Sequence, residues 1–269
     1  MNTKAQAGTQ SIERAMKLLQ IVTTRRQSGW RLTDLASHSG LDDSTVLRIM
    51  SRLSSMRLVR RRQNDRRYAP GPALYELAVT LPAYYEFQSA CRPALLKIAA
   101  ETGWATRLHL RSDDQSVLID RVGDASQQVF NDLGTRRLLL ASPQGIAMLL
   151  ALPRPEQRAI IASNRRQFNA GAARLSSSYE RPVSSYEKIL KRSRECGFGL
   201  SLGELIPGRA TIAVPILTPD GSPVAALGAG GPLSEFTERR IQATARLMQK
   251  EAARIQSENA GIFRDMEVA

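Results

Sequence analysis

Near the start of the chain, two short helix-forming segments follow one another with a glycine between them. The second segment places Val46, Ile49, Met50 and Leu53 at helical spacing, which predicts an amphipathic helix with one apolar face. Gly40 ends the first segment, because glycine readily adopts the left-handed conformation with which a helix stops and turns. We therefore predict two helices joined by a tight turn.

Polar residues mark the starts of these helices and a turn after the second one. Thr33 is predicted to cap the first helix and Asp42 or Asp43 the second, because side-chain oxygens there accept hydrogen bonds from free helical N–H groups. Next, residues 58–62 and 66–68 flank a polar turn at residues 63–65, which is typical of a β-hairpin. Trp30 and Leu32 are expected to add a short strand to this hairpin. The order of elements is that of a winged helix-turn-helix.

Basic residues are concentrated in this part of the chain. Residues 1–70 contain fourteen Lys and Arg but five Asp and Glu, a net charge of +9, whereas the whole chain of 269 residues carries +13. Such an excess is typical of a polyanion binder, and the helix-turn-helix spacing favours DNA over a merely solvated basic surface. Three residues at the start of the second helix are predicted to approach base edges or adjacent phosphates: Ser44, Thr45 and Arg48. The other predicted DNA contacts are Thr33, Arg52, Arg66 and Arg67.

The rest of the chain alternates between helix and strand patterns. Strands are predicted at residues 105–110, 116–122, 198–202, 211–217 and 224–229, and helices at residues 93–102, 143–152, 187–196 and around 241–255. Ser142 and Pro143 mark one helix start, since a hydroxyl caps a helix and proline fits its first turn. The pattern predicts an α+β fold with helices flanking an antiparallel sheet. We place a DNA-binding domain at residues 9–70, a linker helix at 71–90 and a second domain at 91–258.

The linker is predicted to be a helix with apolar residues along one side: Leu74, Leu77, Ala78 and Leu81. Five aromatic residues also lie between Tyr68 and Phe87. So many apolar residues in a connecting helix favour packing against a second copy of the chain, and the alternative is packing onto the chain's own domain.

Composition excludes several other classes of protein. No stretch approaches the ~18 consecutive apolar residues of a membrane span, and the first residues contain no signal sequence, so a cytoplasmic location is expected. Cys91 and Cys196 are isolated in the sequence, which predicts buried thiols rather than a disulfide framework or a metal site. No cofactor is predicted.

In order along the chain, the sequence resembles the IclR-type bacterial transcriptional regulators. The matching segments include residues 11–15, 32–36, 44–48 and 58–60 with Tyr68, then 101–103, 120–122, Gly145, 197–198 and 212–215. The resemblance implies a winged helix-turn-helix, a linker helix that mediates dimerisation, and a GAF-like domain that binds an effector. It also implies binding to pseudo-palindromic operators and a response to small metabolites, often organic or aromatic acids.

The resemblance further implies where the effector would bind. The family's pocket positions correspond here to Ser142 with its neighbours, Ser201, Thr211, Gly228 and Gly230. This chain departs from the family in chemistry: the commonly acidic position is Ser201, the frequent cysteine is Thr211, and two hydroxyl positions are glycines. The departures argue against a very small hydroxy- or keto-acid and favour a bulkier ligand such as an aromatic acid; the alternative is that the glycines only ease backbone packing at the end of a strand.

Two further alternatives concern single side chains. Arg107 and His109 share one face of their strand, so Arg107 either binds an effector carboxylate or faces solvent. Residues 199–203 match the Gly-x-Ser-x-Gly segment of hydrolases, but both histidines precede Ser201 in the chain, opposite to the order in that fold. We therefore expect a regulator and not an enzyme, assembled as a homodimer or a dimer of dimers.

Overall fold

The chain divides at Pro82 into two units, Met1–Pro82 and Ala83–Ala269, each with its own buried apolar residues. The computed structural model describes residues 7–25, 28–123, 133–169 and 182–266. In that part of the chain, no helix combines the length and the apolar character needed to cross a lipid bilayer.

The first unit is a winged helix-turn-helix. Its elements are α1 (Ala7–Thr23), α2 (Leu32–Ser39), α3 (Asp43–Ser55), β1 (Val59–Arg61) and β2 (Tyr68–Pro70). Leu18, Leu35 and Met50 are fully buried, one from each helix, because each helix turns its apolar face inward. β1 pairs antiparallel with β2, and Trp30 adds an antiparallel bridge to Tyr68. The predicted helices and hairpin are confirmed.

The turn between α2 and α3 also follows the prediction. Gly40 has a φ of 70°, in the left-handed region that the sharp turn requires. Of the two aspartates proposed as caps for α3, Asp42 occupies the capping position and accepts a hydrogen bond from the Thr45 amide.

Two predictions at the start of α2 are wrong. The helix begins at Leu32, and the capping position belongs to Arg31, whose side chain makes no capping hydrogen bond. The first turn closes there because the Leu35 amide donates to the Arg31 carbonyl. Thr33 therefore lies inside the helix and does not cap it, and Leu32 is helical and not part of a strand.

Two helices follow the hairpin, α4 (Ala73–Ala78) and α5 (Pro82–Thr102). The prediction that a helix begins at Pro93 is wrong, because α5 runs through this proline. Proline lacks the N–H that would bond the Ser89 carbonyl, but Ser89 is exposed, where water can take that place. Phe87 and Ile98, buried on either side of Pro93, hold the helix continuous.

In the part of the second unit that the structure describes, the strands form a six-stranded sheet. Its further elements are β3 (Ala105–Ser112), β4 (Gln115–Val122), β5 (Arg136–Leu138), α6 (Pro143–Ala151), α7 (Arg154–Asn169), α8 (Val183–Cys196), β6 (Gly199–Leu202), β7 (Arg209–Leu217), β8 (Pro223–Pro232), α9 (Glu238–Glu258) and α10 (Ala260–Asp265). The strand order is β5-β4-β3-β8-β7-β6, and every neighbouring pair is antiparallel. The predicted α+β fold on an antiparallel sheet is confirmed. The pattern missed β5, α7 and α10, since β5 and α10 are short and α7 is strongly polar.

Helices cover both faces of this sheet. Leu227 belongs to the apolar cluster formed with α5 and α9, whereas its neighbour Ala226 belongs to the cluster formed with α6 and α8, as alternation along a strand requires. The start of α6 lies directly on β6: a β-carbon at Gly199 would stand 2.1 Å from the Pro143 carbonyl oxygen. Only glycine permits so close an approach.

Candidate functional site

The outer face of α3 presents two basic side chains. Arg48 and Arg52 are exposed and lie one helical turn apart. Within the described part of the chain, neither guanidinium has a hydrogen-bond or ion-pair partner. This arrangement leaves both side chains available to an anionic surface. Thr33, on α2, is also exposed.

The first residues of α3 are held by the cap. The Ser44 hydroxyl and the Thr45 amide donate to the Asp42 carboxylate at 2.6 and 2.8 Å. These hydrogen bonds, that of Ser44 being the stronger cause, hold the pKa of Asp42 well below its ordinary value. Because the Ser44 proton is committed to Asp42, its oxygen remains as an acceptor for a further contact.

The two arginines predicted to act in the wing have different surroundings. Arg66 is exposed in the turn with a φ of 57°, and no described residue bonds its guanidinium. The Arg67 guanidinium donates to the Ser28 carbonyl at 3.0 Å, and its amide donates to the Asp65 carboxylate at 3.0 Å. Arg67 thus ties the wing to the segment that precedes α2, while Arg66 stays available.

The second unit contains a cavity of about 70 Å³. Its described wall is formed by strands β3, β5, β6, β7 and β8, by the first residues of α6 and of α8, and by the loop at residues 205–206. Five of the six positions predicted to bind an effector line it: Arg107, Ser142, Ser201, Thr211 and Gly230. The sheet explains the grouping, since Ser201, Thr211 and Gly230 stand directly opposite one another on β6, β7 and β8.

The sixth predicted position, Gly228, does not line the cavity, and the prediction that it provides room there is wrong. The space above its α-carbon is filled by Gln144, whose Nε2 lies 2.2 Å from the point where a β-carbon would stand. Gly228 therefore makes room for a neighbouring side chain and not for a ligand. At Gly230, a β-carbon would stand 3.0 Å from Thr211 Oγ1 and 3.4 Å from Arg107 Nη1.

Among the described residues, three arginines line the cavity: Arg107 on β3, Arg137 on β5 and Arg209 at the start of β7. Burial lowers the pKa of Arg107 to about 10, and the positive charges of Arg209, Arg137 and Arg121 act in the same direction. Burial also lowers the pKa of Arg137. At neutral pH Arg107 therefore remains charged, and its guanidinium adds a positive charge to the wall of the cavity.

His109 lines the same cavity with 3% of its surface exposed. Burial, followed by the charges of Arg107 and Arg137, lowers its pKa to about 3. The ring is therefore neutral at physiological pH. Its buried Nδ1 has no hydrogen-bond partner among the described residues.

The hydroxyl groups of the cavity differ in the hydrogen bonds that they already make. Ser201 donates to Glu204 at 3.1 Å, and Glu204 also accepts from Arg192. Ser142 caps α6 by accepting from the Gly145 amide, so its own O–H remains a donor. The Thr211 hydroxyl has no described partner.

Several lining residues were not predicted from the sequence. Arg209 shares a strand face with Thr211, two residues away, and alternation alone would have pointed to it. Gln144 is a neighbour of Ser142 in the first turn of α6. Arg137 and Tyr186 carried no such signal, because β5 and the start of α8 were not predicted.

A winged helix-turn-helix with an exposed basic face, followed by an α+β unit, defines a DNA-binding transcriptional regulator. Residues 11–63 match the IclR helix-turn-helix domain, and residues 85–257 match the domain described as bacterial transcriptional regulator IclR C-terminal. The chain belongs to the IclR family of bacterial transcriptional regulators.

Individual relatives agree with this assignment. The transcriptional repressor AllR of Escherichia coli K12 is 25% identical over 249 residues, which cover 92% of this chain and 89% of AllR. An IclR transcriptional regulator from Alicyclobacillus acidocaldarius has the same fold, with a TM-score of 0.70 at 22% identity over 96% of this chain and 100% of that one. An IclR homologue from Microbacterium hydrocarbonoxydans, complexed with 4-hydroxybenzoate, gives a TM-score of 0.66 at 17% identity over 96% of this chain and 100% of that one.

The matched families and relatives are transcriptional regulators, not enzymes. The hydrolase alternative is rejected accordingly. The Gly-x-Ser-x-Gly segment forms strand β6, where the Ser201 hydroxyl bonds Glu204.

Proposed function

We propose that this regulator binds operator DNA through α3 and the wing, and that a small organic acid in the cavity of the second unit controls that binding. DNA as the target also implies a cytoplasmic location. The observation that carries the DNA-binding half is the exposed outer face of α3, where Arg48 and Arg52 have no partners among the described residues.

The roles of the DNA-binding residues follow from their positions. Arg48 lies nearer the start of α3, the end that approaches base edges in a helix-turn-helix, and arginine binds guanine bidentately. Arg52, Arg66 and the exposed Thr33 are suited to contacts with the phosphate backbone, which position a protein without reading sequence. Ser44 and Thr45 bind the capping residue Asp42 at the start of α3. Arg67 connects the wing to the Ser28 carbonyl.

The cavity supports the effector half of the proposal. Arg107 lines it and has no hydrogen-bond or ion-pair partner among the described residues, so its guanidinium can take a carboxylate bidentately. Ser142 and Thr211 retain hydroxyl donors toward the same space. The 4-hydroxybenzoate in the Microbacterium relative is an organic acid and agrees with this class of effector.

The DNA-binding half is tested on duplexes selected by the full-length protein from a random-sequence library. Arg48→Ala is expected to cost about 1–3 kcal/mol on the selected duplex and to relax its base preference, because a base contact is lost. Arg66→Ala should weaken all duplexes alike and reduce the dependence of binding on salt. Fluorescence anisotropy titrations at two salt concentrations measure both effects, with Arg246→Ala on α9 as the control.

Unchanged affinity and preference in Arg48→Ala would reject this placement of α3.

The effector half is tested on the same complex by adding organic acids. A binding acid should change the affinity for DNA by about 5- to 150-fold, the usual range of coupling between two sites. An Arg107→Gln variant should keep DNA binding and lose this response.

A further inference from the structure

We propose that His109 hydrogen-bonds a hydroxyl group of the effector, so that the effector is a carboxylic acid with a hydroxyl at the end opposite its carboxylate. This inference rests on the proposed function, in which Arg107 binds an organic acid in the cavity. It adds a specificity-determining residue and a second group that the acid must carry.

The hydrogen-bonding atoms of the His109 ring are unsatisfied. The side chain is 3% exposed and lines the cavity. Among the described residues, neither ring nitrogen has a hydrogen-bond partner, and Nδ1 is fully buried. A buried polar atom without a partner costs free energy that a partner would recover. A ligand can supply that partner, because the ring borders the cavity.

The chemistry of the ring favours a hydroxyl group as the partner. Burial, and then the charges of Arg107 and Arg137, lower the pKa of His109 to about 3, so the ring is neutral at physiological pH. A neutral imidazole donates from one nitrogen and accepts at the other. A hydroxyl both donates and accepts, so it fits the ring whichever nitrogen faces the ligand. A second carboxylate only accepts, and its desolvation would meet no opposite charge on the ring.

The carboxylate end of the cavity is marked by Arg107 and Thr211. A β-carbon at Gly230 would stand 3.4 Å from Arg107 Nη1 and 3.0 Å from Thr211 Oγ1, so the guanidinium and the hydroxyl meet above this glycine. Neither side chain has a hydrogen-bond or ion-pair partner among the described residues. An ionised carboxylate can accept from both donors. The space above Gly230 is therefore suited to the carboxylate.

His109 lies at a distance from this end. Gly230 of β8 pairs with Ala105 of β3, whereas Ala226 pairs with His109. The two pairs are four residues apart, roughly 13 Å along the strands at ~3.3 Å per residue. One hydrogen bond of ~2.9 Å at each end leaves about 7 Å between the carboxylate and the hydroxyl of the ligand. An α-hydroxy acid carries its hydroxyl on the carbon next to the carboxylate and cannot reach both ends.

The test compares acids that share a carboxylate and a skeleton but differ in one group. Isothermal titration calorimetry on the full-length protein uses 5-hydroxypentanoate against hexanoate, and 4-hydroxyphenylacetate against 4-methylphenylacetate. In at least one pair we expect the hydroxy acid to bind at least tenfold more tightly, because a site that hydrogen-bonds a hydroxyl rejects the analogue that lacks it.

Two further acids in each series test the position and the charge of the second group. The α-hydroxy isomers are 2-hydroxypentanoate and mandelate, and the diacids are adipate and 4-carboxyphenylacetate. In the series that shows the preference, both should bind more weakly than the acid with the terminal hydroxyl.

Variants assign the hydroxyl to His109. His109→Phe should weaken the preferred hydroxy acid at least tenfold and change its methyl counterpart less than threefold, whereas His109→Gln, which can still donate and accept, should keep part of the preference. Thr106→Val is the matched control, because the buried Thr106 hydroxyl on the same strand donates to the Leu95 carbonyl on the opposite face of the sheet. It should leave the preference unchanged. Circular dichroism of each variant checks that it folds.

The outcomes separate this inference from the function on which it rests. If each hydroxy acid binds no more tightly than its methyl counterpart, and Arg107→Gln abolishes both, the acid effector stands and the role of His109 is rejected. A preference that survives in His109→Phe would also reject that role, as would an α-hydroxy isomer or a diacid that binds as tightly as the terminal hydroxy acid. If no acid binds, or binding is indifferent to Arg107→Gln, the proposed effector function itself fails.

Discussion

The pKa of His109 is strongly lowered by its surroundings in the cavity. Histidine in an unfolded chain has a pKa of about 6.5, whereas burial and the charges of Arg107 and Arg137 lower that of His109 to about 3. Below pH 6.5 the unfolded chain therefore binds a proton that the folded chain does not. The free energy of unfolding must fall as the pH drops from about 6.5 toward 3.

A variant isolates this contribution. Between pH 6.5 and 5, His109 should lower the stability of the second unit by about 2 kcal/mol, at ~1.4 kcal/mol per pH unit. His109→Gln removes the titrating group, so its stability should fall less over this range than that of the wild type. Urea unfolding at pH 7, 6 and 5 measures the difference. Parallel curves for the two proteins would show that His109 is not held neutral.

The space above Gly228 could not be interpreted from the sequence alone. A glycine on a strand suggested space for a ligand, but the structure fills that space with the amide of Gln144, which comes from α6. Gly228 and Gln144 are far apart in the sequence, and the pattern of residues within β8 does not indicate which side chain packs above Gly228. Which atom occupies the space above a glycine is decided by packing between elements.

At the scale of elements, one tightly constrained contact is that between α6 and β6. α6 carries Ser142 and Gln144 into the cavity, and Gly199 lets the Pro143 carbonyl oxygen approach to 2.1 Å from the place of a β-carbon. Neither backbone can yield without moving a whole element.

Gly199→Ala should therefore destabilise the second unit by about 1–3 kcal/mol, as overpacking of a buried contact does. Gly261→Ala is the matched control, since Gly261 lies in α10 with nothing within 4 Å of its added β-carbon. There, alanine should stabilise by about 0.4–1 kcal/mol because it restricts the unfolded chain. Thermal unfolding measures both changes, and two changes of the same sign would contradict this description of the α6 contact.

At the scale of the whole molecule, the linker leaves apolar residues uncovered. On and after α4, Tyr75 is 74% exposed, Leu77 62%, Val79 56% and Leu81 53%. Tyr68 and Phe87, which the sequence grouped with them, are instead buried within the chain. The dimerisation proposal thus rests on the α4 region, and a two-fold pair would place two winged helices on a palindromic operator.

We expect the wild type to sediment as a dimer or a dimer of dimers at micromolar concentration. Leu77→Glu should produce monomers and weaken operator binding at least tenfold, because a buried charge would oppose the apolar contact. Leu96→Glu, at a leucine 50% exposed on α5, is the control and should leave the assembly unchanged. A monomeric wild type, or a dimer that tolerates Leu77→Glu, would reject this seam.

The sequence by itself determined the elements that depend on local chemistry. Helical spacing at Val46, Met50 and Leu53 placed α3, the left-handed preference of Gly40 placed the turn, and Ser142 with Pro143 placed the start of α6. These features are set by residues within a few positions of one another, so a linear pattern contains them. Alternation likewise put Arg107 and His109 on one strand face.

Only the tertiary structure decided how distant residues meet. The order β5-β4-β3-β8-β7-β6 brings Arg137 and Arg209 to the two sides of Arg107, although they are separated widely in sequence. Packing also explains why α5 continues past Pro93, a residue that locally favours the end of a helix. Phe87 and Ile98 are buried on either side of this proline. The charge of the cavity and the pKa of His109 depend on distances between strands and on exclusion of water. These quantities arise when the sheet is assembled.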